Sequence, residues 1–96
     1  MAAALAEGLN YHVALLAEAV EVGRPAARYP HPMQIPSLLN LIRHLRELSY
    51  IRNDMNLLRE AETAARWAIQ LTAKSDADDR SVCLLELART LETIYQ

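Results

Sequence analysis

Apolar residues return every three or four positions along most of this chain. That spacing lines one face of an α-helix rather than one side of a strand. From about Ala2 to Val22, Leu5, Leu9, Val13, Leu16 and Val20 form such a stripe, and Gly23 supplies a stop. A second helix is predicted from about Ser37 to Tyr50, with Ser37 as N-cap and Leu38, Leu41, Ile42, Leu45 and Leu48 on one face. Ile51 to Asp54 make the turn, and Asp54 caps a third helix from about Met55 to Ala73. On that helix Leu57, Leu58, Ala61, Ala64, Ala65, Ala68, Ile69 and Leu71 cover an arc of roughly 160°, wide enough to touch two neighbours. Its alanine-rich middle admits close approach of another helix, with Trp67 at the margin. Lys74 to Asp79 read as a polar loop, in which Asp78 or Asp79 caps a fourth helix reaching Tyr95.

Residues 23–36 contain all four prolines. Proline removes backbone donors and drives the preceding residue toward extended geometry, so this segment is expected to be a connector between the first and second helices. Tyr29, among Arg28, Pro30, His31 and Pro32, is expected to pack across the bundle within it. Composition strengthens the helical reading, because 16 Ala and 16 Leu stand against 4 Val and 5 Ile. A chain of 96 residues fits one hydrophobic core. The expectation is a single all-α domain over 1–96, its four helices forming two antiparallel hairpins, either stacked or closed into a four-helix bundle.

The second helix laid over the fourth at an offset of 46 pairs Leu38 with Leu84, Leu39 with Leu85, Leu41 with Leu87, Arg43 with Arg89 and Leu45 with Leu91. The first laid over the third at an offset of 49 pairs Leu9 with Leu58, Ala19 with Ala68, Val20 with Ile69 and Val22 with Leu71. Such self-similarity is the sequence form of a helical repeat. The stretch Leu58-x-Glu60-Ala61, Arg66-x-Ala68-Ile69-x-Leu71-Thr72, then Asp79-Arg80, Leu84, Leu87-Ala88, Leu91 and Tyr95 resembles the long-period tetratricopeptide-like repeats of large multidomain proteins, over roughly Pro36 to Tyr95. The period exceeds the common 34-residue form, and the Trp/Gly/Tyr signature of the first helix is missing. The resemblance implies stacked hairpins that hold other proteins, with no catalytic residues.

Repeats of this kind bury their apolar faces against one another, and about three are normally needed, whereas this chain offers about two. A protein partner or a second copy is therefore expected to cover an end. The candidate protein-binding residues are Leu84, Leu87, Leu91, Ile94 and Tyr95 on the fourth helix, with Trp67 on the third. Tyr50 stands at a helix end, where a ring can seal a hairpin.

Charge separates the remaining readings. Formal net charge is -2, and the two halves are balanced, which gives no overall field toward nucleic acid or membrane. Arg52, Arg59 and Arg66 nevertheless recur every seven residues, with Lys74 nearly in line. On one helix face these cations form the alternative site, a stripe that reads duplex RNA by shape from a dimeric bundle. Glu62, three residues from Arg59 and four from Arg66, argues instead for a solvated, ion-paired face.

His12, His31 and His44 lack metal-ligand spacing. Asp76, Asp78 and Asp79 lack the glycine and terminal glutamate of a calcium loop. Cys83, the single cysteine, can form no internal disulfide and reads as a small buried hydrophobe. No paired acid and base, metal cluster or phosphate loop appears, so no enzyme activity and no cofactor are expected. No apolar run approaches the roughly 18 residues of a membrane helix, and the N-terminus lacks a secretory pattern. A cytoplasmic location is the expectation.

Overall fold

A computed structural model describes the backbone of residues 2–74 and 77–96, and the side chains of residues 8, 10–73 and 77–96. It comprises α1 (Ala2–Arg28), α2 (Gln34–Arg52), α3 (Met55–Leu71), a 3-10 turn over Thr72–Lys74, and α4 (Ala77–Ile94). The described residues contain no strand, and the chain is all-α. Leu5, Leu9, Lys74 and Asp76, assigned roles from their spacing, have side chains outside the described residues.

The helices follow the apolar spacing, but the ends of two of them do not follow the local stop signals. Gly23 does not terminate α1; the helix runs through Gly23 and Pro25 to Arg28. A glycine inside a helix costs only about 1 kcal/mol, and Pro25 forfeits one bond, to the Glu21 carbonyl. Tertiary packing offsets both, because Gly23 lies against Leu41 of α2 and Ala27 is buried one turn later. Likewise Pro36 lies inside the first turn of α2, where its missing N–H would have had no helical partner. Ser37 is therefore within the helix, and the N-cap is Met33, which offers no side-chain bond. The connector shrinks from 23–36 to 29–33.

That short connector is tied down by its own polar groups. Gln34 Nε2 donates to the Ala27 carbonyl at 3.2 Å and His31 Nε2 to the Ala26 carbonyl at 2.7 Å, satisfying acceptors left over at the end of α1. His31 Nδ1 accepts from the Met33 N–H at 3.1 Å, so this neutral ring carries its proton on Nε2. The turn between α2 and α3 is as predicted in kind. Asn53 is left-handed at φ 51°, a conformation asparagine tolerates, and the Asp54 side chain accepts from the Asn56 N–H at 2.9 Å. Asp78 and Asp79 lie within the first turn of α4 rather than ahead of it, where negative charge still favours the helix N-terminus.

The four helices alternate in direction, and α2 is the hub: its backbone packs against α1, α3 and α4, while α3 also packs against α4. The backbone of α1 approaches α2 alone, which gives an elongated molecule of 51 × 30 × 21 Å. The core is centred on Leu38, Ile42, Leu45 and Leu48 of α2, with Leu16 and Val20 from α1, Ala61, Ala65 and Ala68 from α3 and Cys83 from α4. The alanines of α3 are what let it lie between α2 and α4.

Candidate interaction surfaces

The outward side of α4 carries an apolar stripe. Leu84, Ala88, Leu91 and Tyr95 are spaced at i, i+4, i+7 and i+11, hence lie on one face. Leu84 is 47% exposed, Tyr95 is 83% exposed, Ala88 is open and Leu91 is half-buried, with exposed Leu85 alongside. Among the described residues no element covers this face. Leu87 and Ile94, expected on the same face, turn partly inward: Leu87 packs on the core, and Ile94 lines a depression with Ser49, Met55, Leu58 and Thr93. Trp67 is separated from all of them. It lines a cleft of about 300 Å³ between α1 and α3, floored by Leu38 and Leu41 of α2.

The inward side of α4 is not the leucine side that the overlay on α2 implies. Cys83, Glu86 and Thr90 point into the molecule, spaced at i, i+3 and i+7. The Glu86 side chain is 1% exposed, and its charge is met by three arginines: Arg43 Nε donates to Oε1 at 3.1 Å, Arg46 Nη1 to Oε2 at 2.8 Å, and Arg89 Nη1 lies 3.7 Å from Oε1. Arg46 Nη1 also donates to the Glu86 carbonyl at 3.2 Å, and the Thr90 hydroxyl donates to that same carbonyl at 2.8 Å. The cluster locks α4 onto α2. A buried carboxylate persists only with such partners, since an unpaired buried charge is costly.

A second ionic tie crosses the α1–α3 cleft. Arg24 donates through Nε and Nη2 to the two oxygens of Glu60, each at 2.8 Å, a forked pair that joins helices whose backbones do not meet. The hydrogen bonds that Arg24 donates to Glu60 hold its guanidinium above its ordinary pKa, against a smaller opposing effect of burial. Both side chains are more than a third exposed, so solvent screening keeps the stabilisation to about 1 kcal/mol or less.

The proposed cation stripe is split by the fold. Arg52 belongs to the last turn of α2, not to α3, because the left-handed Asn53 breaks the helix between them. Arg59 and Arg66 are both exposed on α3, and Arg66 is paired with Glu62 at 3.0 Å. Lys74 has its side chain outside the described residues. The three histidines occupy separate settings: His12 bonds Glu47 at 3.0 Å, His31 serves the connector, and His44 lines a groove between α1 and α2. Among the described residues no group of three or more His, Cys, Asp or Glu could hold a metal ion, and no helix is long and apolar enough to cross a membrane.

Cys83 is fully buried. Burial pushes its thiol above the ordinary value, and the charges of Asp79 and Glu86 add to the shift. The protonated, enclosed thiol is a poor nucleophile. Alkylation by iodoacetamide at neutral pH is expected to be at least about tenfold slower in the native chain than in denaturant. Equal rates would show that α4 opens readily.

Glu86 had a sequence signal, a carboxylate standing on the same helix side as Cys83 and Thr90. The overlay also set Arg43 opposite Arg89, but gave no reason why both should be arginine. The chain finds no match among protein-family models, curated proteins or solved structures.

Proposed function

We propose that this chain is a non-catalytic protein-interaction module built from helical hairpins of tetratricopeptide-like character, which works by offering helix faces to another polypeptide. The observation that carries the reading is the open stripe on α4. Leucines and a tyrosine at helical spacing form a strip along which an apolar-faced partner helix can lie. The polar side of α4 is used within the molecule, with Glu86 bound to α2, and Leu84 and Leu85 stand on the open side. Tyr95 belongs to the residue types that carry a large share of the energy of protein contacts. The duplex-RNA alternative has weaker support, because Arg52 sits on a different helix from Arg59 and Arg66, and Arg66 is neutralised by Glu62.

An environment-sensitive apolar dye tests the reading. At low concentration the wild-type chain is expected to bind dye, and Leu84→Asp to bind measurably less, the remainder being held by other exposed apolar residues such as Tyr11 and Leu15 of α1, with helicity unchanged because Leu84 supports little of the core. Equal dye binding by both chains would remove α4 as the docking surface.

A further inference from the structure

We propose that the open stripe of α4 is covered by the outer face of α1 from a second copy of this chain, laid antiparallel and head to tail; this rests on the reading of α4 as a docking surface. The argument starts from equivalent positions. Leu84, Ala88, Leu91 and Tyr95 correspond at the offset of 46 to Leu38, Ile42, Leu45 and Ser49 of α2, all four of which are buried. What hides the α2 set is its flanking helices, α1 and α3. In α4 the same positions meet no such neighbour.

The complementary half lies at the other end of the molecule. Tyr11, Leu15 and Val22 of α1 are 69%, 47% and 64% exposed and share one helix face. At the offset of 49 they correspond to Glu60, Ala64 and Leu71 of α3, which are not open: Ala64 is buried, Leu71 packs on the core and Glu60 bonds Arg24. The chain therefore contains one completed junction, α3 seated against the α1–α2 hairpin, and the two unpaired halves of another. Joining the halves continues that internal packing from one copy into the next.

Charge agrees with an antiparallel fit. Arg80 is exposed one turn ahead of Leu84 on the α4 stripe, and Glu18 and Glu21 are exposed on the C-terminal half of α1, toward which the N-terminal end of α4 would point. The two faces differ, so the contact is heterologous and extends into an open chain of copies or closes into a ring.

Complementation of two disabled full-length chains tests the arrangement. Wild type is expected to grow in mass with concentration in light scattering. Leu15→Glu disables the α1 face and Leu84→Glu the α4 face. Each alone should stay monomeric, with association weakened at least about tenfold, since a charge is forced into an apolar contact. Mixed, they should form a dimer that grows no further, because one supplies a working α4 face and the other a working α1 face. Val22→Glu with Tyr95→Glu repeats the design at still more exposed sites, and circular dichroism checks that each variant is folded. Dimerisation of Leu15→Glu alone would mean that α4 pairs with itself and would overturn the proposal, as would a monomeric mixture or a wild type monomeric at high micromolar concentration. In that last case the dye experiment still decides separately whether α4 docks a different protein.

Discussion

Replacing Glu86 with alanine is expected to lower stability by about 3 kcal/mol, read as a shift in the urea unfolding midpoint at fixed low protein concentration. Removing the carboxylate leaves Arg46, whose side chain is only 17% exposed, without its main counter-charge. Arg43 and Arg89 are half exposed and can turn to water, which sets the estimate at the lower end for a broken buried pair. Glu86→Gln keeps acceptor geometry at Oε1 but loses the charge, and is expected to cost about half as much. Glu86→Leu combined with Arg46→Leu should recover most of the loss, because a buried ion pair replaced by packed apolar groups is often neutral in stability. A shift below about 1 kcal/mol for Glu86→Ala would show that the arginine cluster does not hold α4 in place.

Leu45→Ala is the second large effect. Leu45 is fully buried in the core centred on α2, the helix that packs against all three others. Deleting its branched end removes the transfer energy of the lost carbons and leaves a cavity that helices on several sides cannot easily fill. The expected cost is about 3 to 4 kcal/mol in the same urea experiment. Leu84→Ala, an identical change at a position half in water, should cost under about 1 kcal/mol at concentrations too low for association. Similar losses at the two sites would contradict the described burial of α2 and α4.

These two residues also mark what the chain reveals before folding. Leu45 belongs to a run at three-to-four spacing, and the run identifies both the helix and its buried face. That arithmetic located all four helices and the turn before the third, predicted over Ile51 to Asp54 and found at Asn53 and Asp54, with Ile51 and Arg52 still helical. It misplaced the ends beside Gly23 and Pro36. There the local preference of one residue, worth about 1 kcal/mol, competed with helix packing that no local pattern displays. Glu86 escaped notice because spacing arguments count apolar residues, and its partners Arg43 and Arg46 lie 43 and 40 positions away in the chain. The seven-residue interval put Arg52 in line with Arg59 and Arg66, although the turn predicted over Ile51 to Asp54 already separated it from the third helix, and the left-handed Asn53 makes that break. On α4, spacing gathered Leu84, Leu87, Leu91 and Ile94 together, and only packing sorts them into outward and inward members.

The one-sided seating of α1 has a consequence for how the molecule breathes. Its backbone rests on α2 alone, and its described tie to α3 is a half-exposed Arg24–Glu60 fork. The remaining helices pack on one another, while α1 joins the common core through Leu16, Val20 and Ala27 on its α2 side. Amide protons should thus fall into two tiers of solvent exchange, those of α1 released by lifting a single arm and those of α2 released only by global unfolding.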